Sequence, residues 1–151
     1  MNGRSLTVAE RALAESVFGH AIVYDRVRLS NRKWWWFQPR SIAMAPRGNI
    51  HFHPKGDLYC DDFCARDVSD QGLFIHEMTH VWQHQQGIFL PLARHPFCRY
   101  DYAIKPGWSL KRYGIEQQAE IVRHYFMLKN GHHVAGAPPI SLYKGLIPFI
   151  P

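Results

Sequence analysis

Residues 76 to 80 read His-Glu-Met-Thr-His. On a helix, positions four apart share one face. His76 and His80 can therefore aim two imidazoles at one zinc ion. Glu77 lies one step round, where its carboxylate can reach a water on that ion and take its proton. With ten histidines and five glutamates in 151 residues, composition alone yields this pattern about 0.02 times per chain. The flanking residues are apolar, so zinc-dependent hydrolysis outranks an ordinary polar helix face. The expectation is one zinc per chain and peptide-bond hydrolysis, with Glu77 as general base.

A catalytic zinc needs a third protein ligand. His84 shares the face but lies about 12 Å along the axis from His76, too far for one ion. A histidine six residues after His80 is absent, since Gln86 stands there, and Gln83 replaces the glycine that usually accompanies it. Glu116 is the preferred third ligand. It follows His80 by enough chain for a loop and an antiparallel return, and Glu120 lies one turn beyond it. The pair resembles the glutamate arrangement of gluzincins. That resemblance implies that Glu116 binds the metal and that Glu120 hydrogen-bonds a ligand histidine and fixes its ring. Of the five glutamates, Glu10 and Glu15 belong to an N-terminal helix; the other three fall where a zinc site needs them.

Further residues have weaker claims. Tyr100, Tyr102 or Tyr113 could stabilise an oxyanion, with Tyr113 and Tyr102 the leading pair. Asn49 and His51 sit in a short segment, Asn49–His53, that reads as an edge strand able to hold a substrate backbone. A polar outer strand face explains the Asn49–His53 segment equally well, and half-buried packing is the simpler account of each tyrosine taken singly. A second metal site at His51 and His53, or at Cys60 and Cys64, is less favoured. The three cysteines are expected to stay reduced. The run Trp34-Trp35-Trp36-Phe37 beside Arg32, Lys33 and Arg40 reads as core packing or as a binding surface for nucleic acid or protein.

These residues need elements to hold them. Thr7 with Glu10 makes a capping box for a helix that ends at Gly19. Ile22–Leu29 reads as a strand, and Asn49–His53 as a shorter one. The Trp run reads as strand or packed loop. A strong helix capped by Asp67 or Ser69 and stopped by Gly87 carries His76, Glu77 and His80. Ile88–Gly107, with prolines 91, 96 and 106, reads as irregular. A second strong helix over Ser109–Lys129 carries Glu116. Residues 1–136 thus form one α+β domain, with a small sheet packed on the two site helices. The proline-rich segment 137–151 reads as an extended tail, either laid on the domain through Leu142, Ile147 and Phe149 or mobile.

Composition bounds the rest. At 46% hydrophobic and 20% charged residues, the chain folds rather than staying disordered. No apolar run is long enough to span a membrane. The stretch Met1–Ala21 lacks the apolar segment of a secretory signal peptide, so synthesis in the cytoplasm is expected. The formal charge of +6 suits nucleic acid, anionic lipid or an acidic partner, but its simplest use is solubility. Nucleic acid is accordingly the weakest of the partners considered.

Three blocks together, LTVAERALAESVFGHAIVYDRVRL from Leu6, HEMTHVWQHQQG from His76 and YGIEQQAE from Tyr113, resemble one family. It is the zinc metallopeptidase family found in and around contractile injection systems, whose short members are often labelled vgr-related proteins. The resemblance spans roughly residues 6–126. It implies a minimal gluzincin-like fold with His76, His80 and Glu116 on zinc and Glu77 as base, acting on a peptide or protein substrate. It also implies a link to a secretion system and export through a contractile machine without a signal peptide. The alternative it allows is a zinc-stabilised, catalytically weak or inactive binding or structural module of a type VI or other contractile secretion system. Neither the three-tryptophan run nor the tail belongs to the resemblance.

Overall fold

The computed structural model describes residues 3–90 and 98–151. Prolines 91 and 96 of the expected irregular stretch lie outside them. The chain is mixed α and β, with four α-helices among the described residues and a three-stranded sheet.

Helix α1, Val8–Phe18, starts at Thr7, whose hydroxyl accepts from Glu10 N while the Glu10 carboxylate accepts from Thr7 N. Glu10 also binds Arg4 through both carboxylate oxygens, at 2.8 and 2.9 Å, and accepts from Phe63 N at 2.9 Å. This fully buried acid therefore does more than cap a helix. It ties the first strand, α1 and the turn at Phe63 to one point, and every lone pair it buries has a donor.

The strands are short: β1 is Arg4–Ser5, β2 is Arg28–Ser30 and β3 is Ile50–His51. β1 pairs antiparallel with β2, and β2 pairs parallel with β3, Leu29 opposite Ile50. The expected strand over Ile22–Leu29 is thus largely a different structure. Tyr24–Arg26 form a 3-10 turn, and only the end of the segment enters the sheet. A further antiparallel bridge joins Met44 to His51, with both backbone hydrogen bonds made, at 3.0 and 2.7 Å.

Helix α2, Val68–Gln85, is capped by Asp67, whose carboxylate accepts from Asp70 N. Every residue from Phe74 to Gln83 is buried. A helix enclosed on all sides has no solvent face to keep polar, so polar residues within it need partners or a ligand. Helix α3, Ile115–Lys129, packs along α2. It begins later than expected, because Leu110–Arg112 form a 3-10 turn and Gly114 N donates to Gln117 Oε1 at the true start.

The segment 137–151 does not run extended. It contains helix α4, Ile140–Lys144, and buries Tyr143, Leu146 and Ile147 in the core with Phe18, Trp82 and Phe126. Ile147 and Phe149 pack on the domain as the sequence allowed, whereas Leu142 stays exposed and the burial of Tyr143 was not expected.

Candidate metal centre

Helices α2 and α3 bring His76, His80 and Glu116 together. One ligand atom from each lies within 4.8 Å of the others, and all three residues are buried. His76 Nε2 stands 3.3 Å from Glu116 Oε1, and His80 Nε2 stands 2.6 Å from the same oxygen.

The other nitrogen of each ring is held in place. His76 Nδ1 lies 3.1 Å from Glu120 Oε2. Burial would raise the Glu120 pKa, but the hydrogen bond and charge of His76, with Arg123 and His124, lower it overall. The carboxylate is therefore an acceptor, and His76 Nδ1 carries a proton.

His80 Nδ1 meets Gln83 Oε1 at 2.8 Å. The orientation of that amide follows from its other side. Gln83 Nε2 donates to Ile115 O and to Gln118 Oε1, each at 3.0 Å, and Gln118 Nε2 donates to Tyr113 O at 2.8 Å. A backbone carbonyl only accepts, so both amides can face only one way. His80 Nδ1 must then be the donor. In their neutral forms both rings turn an Nε2 lone pair toward the Glu116 carboxylate. Lone pairs and an anionic oxygen at such distances repel unless a proton or a metal cation stands among them. Two imidazole nitrogens and one carboxylate oxygen are also a donor set suited to zinc, for which neighbouring ligand atoms sit roughly 3.3 Å apart. The residues fit the ion.

Their electrostatics agree. Burial alone would lower the His76 pKa, but hydrogen bonds to Glu116 and Glu120 and the charge of Glu77 raise it to about 9. Burial alone would raise the Glu116 pKa, but hydrogen bonds and charge from His76 and His80 hold it well below the usual carboxylate range. The pocket is strongly cation-seeking.

A cleft of about 390 Å³ opens over these groups. Glu77 lines it beside the two histidines, as do Tyr100, Glu120 and Arg123. Ser41–Ala45 form the opposite wall. In the pairing of Met44 with His51, the antiparallel alternation turns the backbone groups of Ala43 and Ala45 away from β3.

Of the three tyrosines, Tyr100 is the one at the site. Its hydroxyl donates to Glu116 Oε2 at 3.1 Å, and its ring stacks on His76 at 6.2 Å. Tyr113 points elsewhere: its hydroxyl accepts from Lys105 N. The Tyr102 hydroxyl lies between His124 Nδ1 and the Tyr143 hydroxyl, in the wall of a second cavity of about 540 Å³. That cavity shares Tyr100 and Glu120 with the cleft. Asn49 and His51 do not line the cleft. Asn49 Oδ1 accepts from Arg28 N, and the His51 backbone is used by Met44. The segment bordering the site is Ala43–Ala45, one layer further out than Asn49–His53. His84 lies in a separate pocket with Arg26, Arg47 and Gly48.

Sequence reasoning gave no role to the Gln83–Gln118 chain. Its signal was present: Gln83 follows His80 by three positions, and Gln118 follows Glu116 by two. What was missing was the register of α2 against α3.

No protein-family model matches the chain. Over 157 aligned positions it is 41% identical to the type VI secretion system spike protein VgrG2b of Pseudomonas aeruginosa. That alignment takes in 99% of this chain but 15% of the spike protein, so the chain spans a small part of that relative's length. Among solved structures it resembles the effector domain of Pseudomonas aeruginosa VgrG2b, with a TM-score of 0.76 and 40% identity. That match covers 85% of this chain and 75% of the effector-domain chain.

Proposed function

We propose that this chain, which belongs to the family of the VgrG2b effector domain, is a zinc-dependent peptidase that serves as a module of a type VI secretion system. The secretion link is supported by the relative's name. The hydrolytic reading rests on one observation: two imidazole nitrogens and a carboxylate oxygen converge within 4.8 Å at the floor of a cleft that Glu77 also lines.

His76, His80 and Glu116 would hold the zinc ion. When bound, zinc supplies Lewis acidity to a scissile carbonyl and to the attacking water. Glu77 takes the proton from that water and passes it to the leaving amine. Tyr100 has its hydroxyl at the carboxylate of Glu116, placed to donate to charge that develops on the carbonyl oxygen. The turned-out backbone groups of Ala43 and Ala45 can add a peptide strand along the cleft. Glu120 and Gln83 fix the two rings so that both Nε2 atoms face inward.

The test is elemental analysis beside a digest. The purified protein should carry one zinc per chain, and a mixed peptide pool should show new termini by mass spectrometry that a chelator abolishes. Zinc without cleavage would leave the other reading of the family, a zinc-stabilised module that binds and does not turn over.

Gln83 gives a sharper check on the geometry. Gln83→Leu removes the acceptor that keeps His80 Nδ1 protonated, without touching a ligand atom. Zinc affinity should fall about 10–100-fold, measured by competition with a chromophoric chelator. Unchanged affinity would mean that helix packing alone sets the ring.

A further inference from the structure

The net charge of the chain has an address. Between Asp25 and Asp57 there is no acidic residue, while Arg26, Arg28, Arg32, Lys33, Arg40, Arg47 and Lys55 all fall in that interval. Outside it, acids slightly outnumber Lys and Arg. The basic character of the molecule therefore belongs to one segment.

The same segment carries the most exposed aromatic cluster among the described residues. Trp35 is 49% exposed, Trp36 71% and Phe37 56%. Burying a side chain of this kind is worth about 2–3 kcal/mol, so three exposed in sequence is a costly arrangement for a lone folded chain. They are not loose. The buried amide of Gln38 accepts from Trp34 N at 2.8 Å and donates to Ile42 O at 2.9 Å and His51 O at 2.8 Å, which pins the loop to β3. Gly56 packs so closely on the Arg40 carbonyl that no side chain would fit there. Lys33, Arg40 and Lys55 stand close enough to His53 that, after its partial burial, their charges are what lower its pKa. The result is an exposed aromatic tip held in place by Gln38, with Lys33 Nζ 3.4 Å from Trp36 O and Arg40 and Lys55 on the same side of the chain near His53.

We infer that this tip, Trp35, Trp36 and Phe37 with Lys33, Arg40 and Lys55, docks the protein on an anionic lipid bilayer. Tryptophan and phenylalanine favour the boundary between headgroups and acyl chains, and Lys and Arg beside them gain from the negative surface potential. The ring geometry favours lipid over nucleic acid. A single-strand platform offers flat ring faces to successive bases. Here the rings lie against one another, Trp35 edge-on to Phe37 at 5.3 Å and 75°, and Trp34 tilted on Trp35. Such a cluster suits insertion as a wedge. No described helix is long and apolar enough to cross a membrane, so attachment would be at the surface. Ile42, two residues after Arg40, also lines the metal cleft, so the tip and the cleft share one stretch of chain.

The experiment is co-flotation of the full chain with vesicles of phosphatidylcholine alone and with about 30 mol % phosphatidylglycerol. Binding should need the anionic lipid, fall at high salt, and shift tryptophan emission to the blue, since three of the five tryptophans are in this run. Trp35→Ser with Trp36→Ser, and separately Lys33→Glu with Arg40→Glu, should each weaken binding at least about 10-fold. Lys111→Glu with Lys144→Glu, the same charge change elsewhere on the surface, should weaken it far less. Circular dichroism on each variant reports folding. Lack of binding to anionic vesicles, or equal losses in the control pair, overturns the inference. So does a mass that doubles with concentration and reverts in the tryptophan variant, which would assign the tip to a second copy. Tighter binding to single-stranded DNA than to vesicles would assign it to nucleic acid. All of these readouts are independent of whether the protein cleaves anything.

Discussion

On the peptidase reading proposed above, the Glu77→Gln variant should retain zinc at the wild-type stoichiometry and cleave peptides about 10²–10⁴-fold more slowly, the range expected for loss of a general base. The amide keeps the volume and hydrogen-bonding shape of the carboxylate in a position that is 4% exposed, so packing around α2 is preserved. What it loses is the ability to accept and return a proton. Glu77 is not one of the three converging ligand residues, so zinc content should not fall. The measurement is turnover on any peptide that the wild type cleaves, beside elemental analysis of the same sample. A variant that keeps both its zinc and its turnover would falsify the role given to Glu77.

Glu116→Ala should show the opposite signature: loss of metal, and of activity with it. Glu116 Oε1 faces both histidines, at 3.3 and 2.6 Å. Without it two imidazoles remain, and affinity should fall by more than the about 10–100-fold expected for loss of an outer partner. Thermal melting separates this from a simple folding defect. A ligand held at about 100 times its Kd stabilises by about 2.7 kcal/mol, which raises Tm by about 5–10 °C for a chain of this size. Added zinc should raise the wild-type Tm by that amount and leave the variant unmoved. Glu116→Gln, which keeps the bulk of the side chain, should behave in the same way. If both variants keep the zinc-dependent shift, the third ligand is some other residue.

The elements that local rules govern were legible in the sequence. Thr7 and Glu10 announced α1 because a capping box is made within one turn. The apolar stripe of α2 and the spacing of His76 and His80 announced a helix with two rings on one face. Glu116 and Glu120 stood out because glutamates are scarce here and these two lie one turn apart. The sheet was not legible in the same way. Strands of two or three residues have no periodicity to read, and the pairing of Met44 with His51 depends on Gln38 reaching across the loop. That pairing moved the cleft wall from Asn49–His53 to Ala43–Ala45. The choice of Tyr100 over Tyr102 and Tyr113 depended on contacts with α2 and α3 that no spacing reveals. In the tail, the contacts of Ile147 and Phe149 were legible from their apolar character, but the short helix and the burial of Tyr143 by residues far earlier in the chain were not.

The hydrogen-bond chain from His80 through Gln83 and Gln118 to the backbone at Ile115 and Tyr113 bears on the order of assembly. During synthesis α2 leaves the ribosome well before α3, and segments that emerge first can begin to fold first. At that stage the chain offers His76 and His80 but neither the carboxylate that completes the triad nor the carbonyls that orient Gln83. Tight capture of an ion must then wait until α3 has docked. On the proposed zinc reading, metal loading would be a late event in the life of the molecule, and a nascent chain a poor competitor for the ion until its two central helices have met.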